Sequence, residues 1–227
     1  VDAMVALAQA RAADPASAEI RFFLDEARRL AGDTEAPAVT DLAGIRIENL
    51  RYQPQVRSTV GPNLRWSGRD ISRGRIGQLE GIIVDLHEAR LIDTTVVASF
   101  AWIWHLEGAD LTRARFVDST FSHVYAGAAR IDHAVLRDVA GSMLDLSGAI
   151  APGLLIERAR VVLRFRDGDF SGARFVGVDS QARGSDGERA RFDGATFQDV
   201  VLYGIDFTDA SFARAVATRS RFIGATF

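Results

Sequence analysis

The chain has 227 residues, 48% of them hydrophobic, a formal net charge of -3 and no cysteine. That is enough apolar matter for a sizeable core, yet no apolar run reaches the ~20 residues of a membrane-spanning helix, so an integral membrane protein is not expected. The absence of thiols excludes disulfides and cysteine chemistry and fits a cytoplasmic location. All 27 basic residues are arginine; a GC-rich genome explains this bias better than a demand for bidentate recognition. Val1 in place of Met is expected of a chain that begins inside a longer one, and the brief apolar run Met4–Ala8 lacks the basic lead-in of a secretory signal.

Residues 1–32 are expected to form a helical cap of two helices. Asp14 caps the second, Pro15 sits in its first turn, and Gly32 stops it. Ile20, Phe23, Leu24, Ala27 and Leu30 give that helix an apolar stripe. Residues 33–65 are irregular, but Ile45 and Leu50 sit five apart, as in a lead-in or first partial coil that covers a solenoid's open edge.

From residue 66 to residue 227 the chain counts in fives. A large apolar residue recurs every fifth position with a small residue two places before it, as in Ala109-Asp110-Leu111, Ala114-Arg115-Phe116, Ala195-Thr196-Phe197 and Ala210-Ser211-Phe212. A fixed internal period means one small unit stacked on copies of itself. These A-D-L-x-x and A-R-F-x-x units resemble the pentapeptide-repeat family. The resemblance implies a mainly β fold, a right-handed quadrilateral β-helix with four five-residue sides per coil, here with an α-helical segment at its N-terminus.

Twenty-residue coils would place Asp70, Arg90, Asp110 and Arg130 in one column and Arg73, Asp93, Arg113 and His133 in a second. The first alternates in sign and the second does so nearly, up to His133, as stacked neighbours prefer. The centres run from Ile71 through Val161 with Gly81, Ala101, Ala126, Gly141 and Ala151 as interruptions, which mark looser or refilled layers; Trp104 is the visible refilling beside Ala101. The step from Val161 to Phe165 is four residues, as a bulge or kink would require. Between Phe175 and Phe192 the spacing breaks, and the polar stretch 181–189 reads as a projecting loop that offers Arg183, Asp186 and Glu188 to a partner. Phe192, Phe197, Phe207, Phe212, Phe222 and Phe227 then stack aromatics at the centres. Such an end would leave strand edge and apolar surface open, so a homodimer through Phe222 and Phe227 is expected, as in family members that dimerise at this end.

Three outward groups are candidates for function. Ile82, Ile83, Phe100, Trp102, Ile103 and Met143 form an apolar face that asks for a cover, either the N-terminal helix or another protein. Asp85, His87, His105 and Glu107, with Glu88 beside them, stack into a square with the ligand types of a divalent metal site. They read equally as stacked charges and hydrogen bonds, and no metal or cofactor is expected. Arg75, Arg115, Arg137, Arg158, Arg160, Arg164, Arg166 and Arg174 gather on one side, interspersed with Asp118, Asp138, Glu157 and Asp167. That mixture reads as a solvated face, and nucleic acid is not an expected partner.

No G-x-S-x-G, H-E-x-x-H, P-loop or Rossmann pattern occurs, so an enzyme is not expected. The expected function is a non-enzymatic scaffold for protein–protein interaction. The resemblance also implies an alternative, a mimic of duplex DNA that binds gyrase or topoisomerase as quinolone-resistance members do. Columns of alternating sign disagree with it, because a duplex presents one negative charge per about 1.7 Å.

Overall fold

The computed structural model describes residues 46–48, 63–180 and 184–227. The expected helical cap of residues 1–32 lies outside the described residues, as do Ile45 and Leu50. What is described is a β solenoid of about seven turns built from parallel sheets.

One sheet takes the strands Arg46–Glu48, Arg75–Gly77, Thr95–Val97, Arg115–Val117, Val135–Arg137, Leu155–Glu157, Arg174–Val176, Thr196–Gln198 and Val216–Thr218. The other takes Asn63–Arg65, Glu80–Asp85, Phe100–His105, Thr120–Tyr125, Ala140–Asp145, Arg160–Arg164, Asp179–Ser180, Val201–Tyr203 and Arg221–Ile223. A third column of single bridges runs through Asp70, Arg90, Asp110, Arg130, Ile150, Asp169, Arg191 and Ser211. Residues 46–48 therefore already belong to the ladder, stacked on Arg75–Gly77.

The five-residue unit follows from how a coil turns its corners. Ala89 N donates to Leu86 O at 3.0 Å and Ala109 N to Leu106 O at 3.0 Å. Each closes a four-residue turn whose third residue, Glu88 or Gly108, has a positive φ of 55° or 67°, as a type II turn requires. The small residue is thus the one that ends a corner and re-enters the core, and the large residue two places on fills it. Ladder bonds then tie coil to coil, as in Ile71 N to Arg90 O and Leu91 N to Asp110 O, both 2.7 Å. On the side that lacks a turn, inward serines supply the bond: Leu79 N donates to the Ser99 hydroxyl and Ser99 N to that of Ser119, each at 3.3 Å.

From Asn63 and Ile83, partners are twenty residues apart as far as Ala140 and Arg160, then nineteen from Met143 and Val162 onward, with the register shift between Ala140 and Met143. The four-residue side at Val161–Phe165 causes that shift. The offset grows to twenty-two at Arg164 and Asp186 and returns to twenty at Asp186 and Asp206. Of the expected projecting loop over 181–189, residues 181–183 lie outside the described residues, while residues 185–189 run along the coil. Asp186 is paired on both sides, Phe165 N donates to its carbonyl at 2.5 Å, and Ser185 is buried with its hydroxyl 2.8 Å from that of Ser180. From Ser185 to Arg189 a polar, glycine-containing sequence looks like a loop, but its described backbone joins the ladder.

The core is one continuous cluster from Trp66 to Phe207. Its first half is mainly aliphatic, through Ile71, Ile76, Leu86, Leu91 and Val96, and its second is a chain of phenylalanine rings. Phe165 contacts Phe170 at 4.8 Å, Phe170 stacks on Phe192 at 5.4 Å, and Phe192 on Phe212 at 5.1 Å. The interruptions at Ala126 and Gly141 are not fully refilled. A void of about 30 Å³ remains between Trp104, Phe116, Phe121 and Leu136.

Candidate functional site

Most surface charge is consumed at the corners. Arg113 holds Asp93 with two hydrogen bonds of 2.7 Å, and Arg219 holds Asp199 at 2.6 and 2.7 Å. Arg158 does the same to Asp138 at 2.6 and 2.7 Å, and Arg189 to Asp167 at 2.6 and 2.8 Å. The hydrogen bond from each guanidinium holds these four carboxyls below the usual carboxylate range. Such exposed pairs contribute little stability singly, but they neutralise the edges of the rod. The column Asp70, Arg90, Asp110, Arg130 is stacked by its backbone as expected. Arg90 reaches Asp70 at 3.3 Å, whereas Arg130 turns to Asp132 at 2.7 Å and Asp110 is occupied by the Thr112 hydroxyl at 2.6 Å.

The arginine cluster is likewise mostly answered. Arg137 pairs with Glu157 at 2.6 Å and Arg158 also meets Glu157 at 2.5 Å. Arg166 meets Asp186 at 2.8 Å and Glu188 at 2.5 Å, and Arg189 also contacts Glu188. Asp186 and Glu188 are therefore half-buried parts of the ladder. Arg183 lies outside the described residues.

The histidine square closes only in part. Asp85 stacks beneath His105 along the ladder, but its carboxylate accepts the backbone N–H of His87 at 3.2 Å. Glu107 lies 3.1 Å from His105 and 4.0 Å from His87, and Glu88 lies 3.5 Å from His87. Among the described residues no group of three or more histidine and carboxylate side chains has the geometry to hold a metal ion. Twenty-residue spacing held a signal that the residue-by-residue reading passed over: His105 stacks on Tyr125 at 5.4 Å, and Tyr125 lies against His123 at 6.1 Å. Rings one coil apart on a parallel ladder meet face to face.

Beside this stack lies the apolar face. Trp102 is 57% exposed, with Phe100 edge-on at 6.2 Å, while Ile83, Ile103 and Met143 are half-buried. The backbone of Ile82 is in the same strand. The helix proposed to cover this face, with Ile20, Phe23, Leu24 and Leu30, lies outside the described residues. A second apolar surface closes the ladder: Phe227 is 73% exposed, Val216 and Ile223 are exposed, and Phe222 is half-buried. Both sheets end there, on Val216–Thr218 and Arg221–Ile223. Among the described residues no helix is long and apolar enough to cross a membrane.

A family model described as pentapeptide repeats matches residues 182–227 in eight copies. No curated protein matches the chain. Among solved structures, a trypsin-treated variant of QnrB1, a plasmid-mediated fluoroquinolone resistance protein, is 17% identical; the likeness covers 67% of this chain and 91% of that one, with a TM-score of 0.43. HetL, a pentapeptide repeat protein involved in heterocyst differentiation regulation in a Nostoc cyanobacterium, is also 17% identical, over 84% of this chain and 92% of that one, with a TM-score of 0.30. Rfr23, from a Cyanothece cyanobacterium, is 18% identical over 43% of this chain and 63% of that one, with a TM-score of 0.27. At these identities and scores none carries an argument about what this chain binds. Residues 182–227 match the pentapeptide-repeat family, and the parallel sheets to which their strands belong continue backward through the described residues, which supports that family for the chain.

Proposed function

We propose that the chain is a non-enzymatic scaffold, a right-handed four-sided rod that binds another protein through the face of Phe100, Trp102 and Ile103. One observation carries this reading: the large exposed indole of Trp102 stands on a six-residue strand whose inner side is buried, while corner charges such as Arg113 and Asp93 or Arg158 and Asp138 pair with each other. A tryptophan held by a preorganised strand is the side-chain type that dominates binding energy in protein interfaces. No catalytic step belongs to this reading, because the His87, Glu107 and His105 contacts lie on an open face with Asp85 turned to its own backbone.

The test is a photoreactive side chain placed at Trp102 in the full chain, with a second probe at Arg219 on a self-paired corner. The reading expects a discrete crosslinked protein from the first position and not from the second. Identical products from both positions, or none from Trp102, would end it.

The same rod is proposed to pair with a second copy of itself through Phe222 and Phe227, where apolar rings and two sheet edges come together. Light scattering at micromolar concentration should give twice the chain mass, and Phe227→Asp should halve it; a wild-type monomer rejects the pairing. Mimicry of duplex DNA has less support, since Asp93, Asp138, Asp167 and Asp199 are each neutralised by a two-pronged arginine.

A further inference from the structure

We propose that the void inside the coils between Trp104 and Leu146 is a dry binding site for a small uncharged apolar guest, such as a gas atom or a hydrocarbon of a few heavy atoms. The site goes beyond the surface reading above and does not depend on it.

The void has an identifiable origin in the repeat. Ala126 takes the centre position that Leu106 and Leu146 fill one coil below and one coil above, and Gly141 brings no side chain to the position above Phe121. Phe121 leans into that gap, so that a Cβ on Gly141 would fall 2.4 Å from its ring. The lean fills the space at Gly141 and leaves the space at Ala126 open. The column of centres beside it records the result: Ile76, Val96 and Ile156 are fully buried, while Phe116 is only half-buried and Leu136 keeps 7% of its surface. Slightly accessible side chains within an otherwise sealed column are what a water-sized internal space produces.

Size admits a water, but chemistry does not. A buried water needs two to four hydrogen-bond partners. Ser119 brings the one hydroxyl to the lining, and its proton is committed: it donates to Val117 O at 2.9 Å and accepts from Ser99 N at 3.3 Å, which leaves a single lone pair. The remaining lining, from Trp104, Leu111, Phe116, Ala126, Leu136 and their neighbours, turns almost only carbon toward the void. A polarizable guest recovers the dispersion contacts that these side chains lack across the gap, and water recovers nothing.

Xenon is the probe. Crystals of the full chain under xenon pressure should show one guest among Trp104, Phe116 and Leu136, and titration of xenon into the protein in solution should shift the resonances of the same side chains. Ala126→Val, which fills the space from inside, should lose both signals. Leu111→Ala, which enlarges it, should keep them and raise the occupancy. Ordered water in the void, or no xenon there in either the wild type or Leu111→Ala, overturns the proposal, and this holds even if Ala126→Val fails to fold.

Discussion

The two halves of the rod separate properties that are usually taken together. From Asp70 to Arg160 the backbone rises twenty residues per coil without interruption, yet the aliphatic filling leaves a void at Ala126 and Gly141. From Phe165 onward the rise changes to nineteen, then twenty-two, then twenty, yet the interior is packed ring on ring. Register is set by the ladder and its corners, whereas density is set by the sizes of the centres. Rings that reach across coils, as Phe165 does to both Phe175 and Phe192, absorb a misregister that aliphatic side chains would leave as gaps.

The largest effects should follow truncation of rings, and they should differ between the halves. Phe192 is fully buried and lies 5.1 to 6.1 Å from the rings of Phe165, Phe170, Phe175, Phe197, Phe207 and Phe212. Phe192→Ala should cost about 4 kcal/mol, and Phe116→Ala, at the edge of the void, about 2 kcal/mol, both read from denaturant midpoints. Equal losses would break the comparison.

Next in size is Gly141→Ala. The new methyl meets not only the Phe121 ring at 2.4 Å but also the Phe121 carbonyl at 2.6 Å, which the void cannot relieve. The expected cost is about 2 kcal/mol. Were it neutral, the space around Gly141 would be looser than the lean of Phe121 requires.

Much of this was legible in the sequence because a five-residue period ties each side chain to a position in the coil. The centres, the stacked columns through Asp70 and Asp93, and the slip after Val161 all follow from counting. Counting cannot weigh a side chain's choice among partners. Arg130 prefers Asp132, two residues along its own coil, to Asp110 below it, and Asp85 prefers a backbone N–H to the histidines. Composition also misleads where it is taken for conformation: Asp186 and Glu188 sit in a loop-like sequence, but an inward Ser185 and a carboxylate facing Arg166 suit a coil as well as a loop. Counting likewise places Asp85, His87, His105 and Glu107 as neighbours without fixing their contacts: Asp85 turns to its own backbone while Glu107 stays beside His105.

The corners should not distinguish the halves, and acid tests this. Asp93 and Asp138 lie in the aliphatic half, Asp167 and Asp199 in the aromatic one, and all four have lowered pKa values caused first by an arginine hydrogen bond. A carboxyl whose folded pKa is depressed binds its proton more readily in the unfolded chain. The pairs therefore stabilise the fold above the ordinary aspartate value of about 4, and this support is lost as pH falls through the lower folded values. Denaturant midpoints should be flat from neutral pH to about 5 and should decline below about 4, less steeply at high salt. Asp138→Asn and Asp199→Asn should flatten the decline to the same extent; a response in one half alone would tie the corner pairs to the filling beneath them.

The smallest effects isolate the corner backbone itself. Ala128 and Gly148 occupy the same corner one coil apart, with φ of 54° and 67°. An L-residue in this left-handed conformation costs roughly 1 kcal/mol, which glycine avoids, although glycine also gives the unfolded chain more freedom to lose. Ala128→Gly should therefore stabilise by only about 0.5 kcal/mol, and Gly148→Ala should cost about the same. Crowding does not explain that cost, since the nearest atom to a new Cβ at Gly148 is Ala128 N at 3.8 Å. Gly194, in the aromatic half, has φ of 68° and nothing within 4 Å of an added Cβ. Gly194→Ala should match Gly148→Ala. If it does, the corner is a property of the repeating backbone and indifferent to whether leucine or phenylalanine lies behind it; if the two differ by more than the error of the midpoints, filling and register are coupled after all.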